Sequence, residues 1–291
     1  IAERELLLIV TPEPEEVKKQ IAAIVNMENV RFLECGTNDT WARDHGAITM
    51  MDADGPSLLD FTFNGWGLKF ASHLDNQITR HAVENGILKG RYVNRLGFVL
   101  EGGSIESDGM GALLTTSECL LSPNRNGQKN KVEIEEYLKN VFQVRQILWL
   151  DDGYLAGDDT DSHIDTLARF CPADTIVYVQ CEDETDEHYE ALQAMEEQLH
   201  SFRTLNGEPY RLLALPMADK VVEEGERLPA TYANFLILNG TILYPTYNQP
   251  ENDRRACEVL QEAFPGYQMV GIDCRPLIKQ HGSLHCVTMH H

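Results

Sequence analysis

The chain has 291 residues, 43% of them hydrophobic and 24% charged, a balance that fits a globular protein able to bury a substantial core. Its 46 acidic against 24 basic side chains give a net charge of -22, which repels nucleic acid and anionic membrane surfaces and attracts cationic small molecules. Seven cysteines with no CxxC pair and no even framework spacing argue for reduced thiols and a cytoplasmic setting, and against a structural zinc site. The apolar run Ile1 to Val10 lacks a basic leader and a cleavage site, and no stretch reaches transmembrane length. The start on Ile1 in place of Met reads as a start inside a longer natural chain.

In chain order, the first predicted helix covers Pro12 to Asn26, with Val17, Ile21 and Ile24 at helical spacing, and a strand follows at Val30 to Cys35. A second helix, Leu74 to Asn85, leads to a strand at Tyr92 to Leu100. The third places Ile134, Leu138 and Val141 on one face and runs into Gln146 to Leu150. The fourth starts near Thr185, carries Tyr189, Leu192, Met195 and Leu199, and leads to Arg211 to Leu215. The fifth starts near Glu251, carries Cys257, Leu260 and Phe264, and leads to Gln268 to Ile272. Between them, Gly111 to Ser122 and Phe235 to Pro245 are apolar and glycine-punctuated, as hairpin strands would be.

One unit thus recurs five times, with helices starting roughly every 55 to 65 residues, enough for a βαβ-type unit with an extra hairpin. An echo supports the repeat: Gly102-Gly103-Ser104-Ile105-Glu106 and His281-Gly282-Ser283-Leu284-His285 share the pattern Gly-Ser-aliphatic-polar, each after a helix and strand. Five units placed cyclically, in one domain spanning residues 1–291, would gather strand ends and loops where a ligand site belongs.

The segments after the predicted strands are the ones richest in reactive residues. In Trp41-Ala42-Arg43-Asp44, a strand would send Trp41 and Asp44 to opposite faces and a turn would bring them together; an aromatic face beside a carboxylate suits a flat cation. The run Gly157 to Asp165 holds Asp158, Asp159, Asp161, His163 and Asp165, and its spacing lacks the Gly and Glu of an EF-hand loop. Asp158 and Asp161 read as a solvated acidic loop, while a metallohydrolase site on Asp159, His163 and Asp165 is an open alternative that lacks a second His at ligand spacing. In an extended segment His163 and Asp165 point to one face, so one group can hold a substrate while the other moves protons. Cys119, Cys171, Cys181, Cys257 and Cys274 read as small buried hydrophobes. Cys286 differs in its polar, glycine-containing approach at the centre expected of the fifth unit, and a nucleophilic role there needs its thiol proton removed.

Seven motifs, in order along nearly the whole chain, carry a family resemblance: Asn38-Asp39-Thr40-Trp41-Ala42-Arg43-Asp44, Phe63-Asn64-Gly65-Trp66-Gly67, Leu100-Glu101-Gly102-Gly103-Ser104-Ile105, Pro123-Asn124-Arg125-Asn126, Gly157-Asp158-Asp159-Thr160, His163-Ile164-Asp165 and Leu284-His285-Cys286. Together they resemble the agmatine deiminases and the bacterial peptidylarginine deiminases grouped with them. The resemblance implies an α/β pentein fold of five ββαβ units around a pseudo-fivefold axis. It also implies deimination of a small cationic guanidino substrate, no metal or organic cofactor, and a family habit of forming homo-oligomers. It assigns Cys286 as nucleophile, His163 as general acid and base, Asp44 and Asp165 as the carboxylates that hold the guanidinium, and Asp159 as facing the distal amine; the aromatic face of Trp41 adds a substrate-binding candidate from the residues themselves. Agmatine is the expected substrate and peptidyl or free arginine the alternative; from another class, an acidic cation-binding scaffold on the same fold is the competing reading. The sequence departs from the family pattern at Ala47, at Glu106 and at Gln280 to Ser283.

Overall fold

A computed structural model describes residues 1–291. Four units have the same plan: two antiparallel strands, a helix, and a third strand that returns parallel to the second. In the second unit, Ile48–Asp52 and Gly55–Thr62 form the hairpin, Asp75–Glu84 the helix and Arg91–Val99 the parallel strand. The third unit is built from Ile105–Ser107, Ala112–Thr116, helix Lys131–Phe142 and Gln146–Leu150. The fourth uses Ala168–Cys171, Thr175–Gln180, helix Tyr189–Ser201 and Arg211–Pro216. The fifth uses Leu236–Leu238, Thr241–Thr246, helix Pro250–Ala263 and Gln268–Asp273. The first unit has two parallel strands, Leu7–Thr11 and Val30–Glu34, joined through helix Pro14–Ile21. These five ββαβ-like units make the pentein fold.

The later helices bury an apolar stripe against the sheets, because side chains three and four apart share a face; the fifth lies across its own sheet and the Arg211–Pro216 strand of the fourth unit. Thus Ile134 and Leu138 are buried in the third helix, Leu192, Met195 and Leu199 in the fourth, and Ala256, Leu260 and Ala263 in the fifth. Asn130 and Glu133 close a reciprocal capping box at the start of the third helix, which fixes where that helix begins. The first helix departs from expectation. It stops at Ile21, buries no residue, and leaves Ile24 81% exposed, since the two-stranded sheet beneath it offers less apolar surface than its counterparts. Within Gly111 to Ser122 the strand ends at Thr116, whose hydroxyl accepts from the Cys119 N–H and starts a helical turn at Ser117–Leu120. The Trp41 to Asp44 segment is a helical turn, Ala42–His45, and not a strand. No helix is long and apolar enough to cross a membrane.

Candidate active site

A cavity of about 320 Å³ opens where loops of the units converge, and Trp41, Asp44, Trp66, Phe70, Asp159 and Cys286 are among the residues lining it. The turn at Ala42–His45 is tied across the molecule by the Arg43 N–H, which donates to the Cys286 carbonyl at 3.0 Å. Neighbouring residues therefore face opposite ways: Asp44 and Cys286 line this cavity, whereas Arg43 and His285 line a second cavity of about 270 Å³ together with Glu106 and Arg169. Gly282, in the second glycine echo, packs so closely on the Trp41 ring that an added Cβ would lie 2.4 Å from it.

Asp44 is buried and accepts from Trp66 Nε1 at 2.9 Å and from the Gly103 N–H at 3.0 Å. A Cβ on Gly103 would sit 2.6 Å from His163 Nδ1, 2.8 Å from Asp44 Oδ1 and 3.2 Å from Asp165 Oδ2, so these three groups surround one point that only glycine can occupy. Asp165 Oδ2 accepts from His285 Nδ1 at 2.7 Å, and its buried Oδ1 has no hydrogen-bond partner. Burial raises the pKa of both carboxylates, that of Asp165 to about 7. His285 is kept neutral by burial and by the nearby Arg169 and Arg43 cations. That fixes its tautomer, with Nδ1–H directed at Asp165 and Nε2 facing Arg169 Nη2 at 3.3 Å.

His163 is 1% exposed, with Nδ1 3.6 Å from Asp44 Oδ1 and Nε2 3.5 Å from Glu101 Oε2. Burial alone would lower its pKa, but Asp44 first, then Cys119 and Glu101, carry it well above the ordinary histidine value. Glu101 is fully buried and takes Arg125 Nε on both oxygens, at 3.0 and 2.8 Å. Burial would raise Glu101, yet His163 and Arg125 hold it below the usual carboxylate range. Cys119 lies against the same carboxylate at 3.8 Å and remains a thiol, since burial and then Glu101 raise its pKa. The donor atoms of Glu101, Cys119 and His163 come within 4.8 Å of one another. With the Arg125 guanidinium already neutralising Glu101, the trio is suited to proton control rather than to holding a divalent ion.

The Cys286 thiol donates to Asn234 Oδ1 at 3.4 Å, and the same oxygen accepts the Cys286 and His285 backbone N–H groups at 3.3 and 2.8 Å. Asn234 thereby aims the sulfur; its own Nδ2 reaches the Asp165 carbonyl at 3.3 Å. Burial raises the Cys286 pKa well above that of a free thiol, and Asp165 and Asp44 raise it further. At the mouth stand Asp39, Asp158 and Asp159, with Lys279 held by Glu223 at 2.6 Å and His281 3.9 Å from Asp159.

All six residues singled out in the sequence are brought to one place: Trp41, Asp44, Asp159 and Cys286 in the cavity lining, and His163 and Asp165 directly behind Asp44 and Gly103. Asp161 departs from the solvated-loop reading. It pairs with Arg125 Nη1 at 2.5 Å and with Lys69 at 2.6 Å, while Asp158 accepts the Thr160 and Ser162 N–H groups of its own loop. Cys119 is buried as expected, but beside an imidazole rather than within plain core. Sequence reasoning assigned no role to Glu101, Trp66, His285 or Asn234. The first three lie inside quoted motifs, where a signal existed; Asn234 is 52 residues from Cys286 and carried none.

Two buried carboxylates, an imidazole and a thiol around one cavity on a pentein fold define the class of guanidino-modifying pentein proteins. The profile of the Porphyromonas-type peptidyl-arginine deiminases matches residues 1–291. A Marinomonas sp. protein provisionally named agmatine deiminase is 34% identical over 281 residues, covering 90% of this chain and 76% of the relative. Among solved structures, a provisionally named arginine deiminase from Porphyromonas gingivalis superposes with a TM-score of 0.95 at 50% identity, over 99% of this chain and 85% of that one. A Cys-to-Ser variant of the C. jejuni agmatine deiminase with substrate bound gives a TM-score of 0.90 at 42% identity, over 99% and 82%. The chain belongs to the Porphyromonas-type peptidylarginine deiminase and agmatine deiminase family.

Proposed function

We propose that the protein hydrolyses agmatine to N-carbamoylputrescine and ammonia through a covalent thiouronium on Cys286, with residues 1–291 acting as one catalytic domain. One observation carries the reading: Asp44 and Asp165 are buried beside a thiol, and neither has an Arg or Lys among its hydrogen-bond partners. Asp165 Oδ1 is free to accept an N–H from a guanidinium entering between them, whose charge adds to that of the His163 imidazolium 3.6 Å from Asp44. Burial is the main influence that keeps Cys286 protonated; the same event offsets the two anionic influences that add to it, so substrate binding promotes the thiolate, the thiol proton leaving to solvent because His163 is already a cation.

The thiolate attacks the central guanidinium carbon, and the carboxylates stabilise the adduct that results. His163, held as a cation by Asp44 and Glu101, gives its proton to the departing ammonia. The neutral imidazole then takes a proton from the water that displaces sulfur and releases the ureido product. Agmatine is favoured over arginine by the mouth, where Asp39 and Asp159 suit a distal ammonium and Lys279, the lysine of the lining, is already paired with Glu223. Relatives named agmatine deiminases support the same choice, while the family profile and the 50% identical P. gingivalis protein are named for arginine, the alternative substrate.

The test is a colorimetric ureido assay offering agmatine, free arginine and an arginine peptide to the wild type and to Cys286→Ala. The expected result is agmatine turnover, reduced by about 10⁴-fold or more in the variant. Turnover by Cys286→Ala sinks the thiol mechanism, and product from the peptide alone sinks agmatine as substrate. A chelator added to the assay leaves the rate unchanged under this mechanism; loss of activity would return the metallohydrolase reading.

A further inference from the structure

The imidazole of His163 sits at the inner end of an alternating chain of charges that begins at the solvent-exposed Lys69. Lys69 Nζ meets Asp161 Oδ1 at 2.6 Å, Asp161 Oδ2 meets Arg125 Nη1 at 2.5 Å, and Arg125 Nε meets Glu101 Oε2 at 2.8 Å. Glu101 in turn faces His163 Nε2 at 3.5 Å. Arg125 and Glu101 are fully buried side chains, Asp161 is 25% exposed and Lys69 39%, so the chain runs from solvent to the interior. Pairwise attraction strengthens along it as the surroundings become drier.

The outer end also joins two strained loops. Trp66 and Leu68 have φ of 54 and 71°, and Asp161 and Ser162 have φ of 63 and 60°, a left-handed conformation that residues with a Cβ adopt only when surrounding contacts hold them. Those contacts are present. Lys69 donates to the Asp159 carbonyl at 2.6 Å as well as to Asp161, and Arg125 Nη2 donates to the Thr160 carbonyl at 2.9 Å. The loop so fastened carries Trp66, which donates to Asp44, and Phe70, which lines the cavity.

We propose that Lys69 and Asp161 are positioning residues for the reaction: from the outer end of this chain they anchor Arg125, which fixes Glu101 and through it His163, and they hold the loop that carries Trp66. This rests on His163 serving as acid and base. The groups facing that imidazole are Asp44 from the helical turn, Glu101 from the strand end, Cys119 from the turn after Thr116, and Asp165 from its own turn. Lys69 and Asp161 act at a remove from all of them. Because charges alternate, neutralising Lys69 strengthens the negative field at His163, and neutralising Asp161 weakens it.

The experiment titrates the His163 ring by NMR, its resonance identified by loss in His163→Asn, in the wild type, Lys69→Met, Lys69→Arg and Asp161→Asn. Lys69→Met is expected to move the midpoint up, and Asp161→Asn down, by about half a pH unit each. Lys69→Arg restores the wild-type value. Agmatine kcat/KM falls about tenfold in Lys69→Met and Asp161→Asn and recovers in Lys69→Arg. A merely structural role loosens both loops alike, so midpoints that stay put or move the same way overturn the inference. If the wild type turns over no guanidine, the proposed function fails, while the titration still decides whether the chain of charges reaches His163.

Discussion

Two sets of buried carboxylates meet at His163, and they are treated in opposite ways. Glu101 is saturated by Arg125, with Asp161 and Lys69 continuing the pairing outward, and it stays ionised. Asp44 and Asp165 receive hydrogen bonds from Trp66, a backbone amide and a neutral histidine, but none from a cation, and burial raises both. A buried anion with its counter-ion in the fold contributes to structure; one without it costs stability until a cation arrives. In the proposed reaction, the contrast separates the groups that set up the acid and base from those that would recognise the substrate. Burial keeps Cys286 a thiol, and the charges of Asp165 and then Asp44 hold it there more firmly.

The comparison breaks most visibly at Arg125. Arg125→Met leaves Glu101 buried and uncompensated, and chemical denaturation should show a loss of about 3 to 5 kcal/mol. A loss below about 1 kcal/mol would mean that Glu101 is not the paired, structural member of the two sets.

Asp165→Asn should do the reverse. Its folded pKa of about 7 lies above the ordinary value of 3.8, so this carboxylate favours the fold only when protonated, below the unfolded value. That contribution is lost as pH rises toward 7, and above it the variant is expected to be more stable than wild type by about 1 to 4 kcal/mol, with no gain near pH 3. Thermal melts across that range check the sign. Glu101, lowered in the fold, has the opposite dependence: its contribution is present at neutral pH and fades on acidification.

The smallest effect sharpens the link to the nucleophile. Asp44→Asn removes one of the anions acting on Cys286, and the pH profile of iodoacetamide alkylation should shift down by about 1 unit. An unmoved profile would show that burial alone sets the thiol and that substrate charge does not assist its ionisation.

Much of this was legible in the sequence because local rules govern it. Apolar spacing marks the helices, glycine and polar turns mark the hairpins, and the interval between helices marks the repeat, so the five units could be counted before any coordinates. Reactive residues could be found because they cluster just after predicted strands. The short first helix, with Ile24 in solvent, shows where the rule stops: periodicity reports the face a segment could bury, and not whether a sheet broad enough lies beneath it.

What the sequence determined by itself is therefore the unit, its repetition, and the family motifs in which the reactive side chains stand. Only the tertiary structure decided which acids are paired. Glu101 and Asp165 are both carboxylates beside His163, and nothing local distinguishes them. Their difference arises because Arg125 arrives from 24 residues away to neutralise one, while neutral His285 arrives from 120 residues away to donate to the other. Charge compensation is a property of distance in space and of burial, and neither is written in the order of the residues.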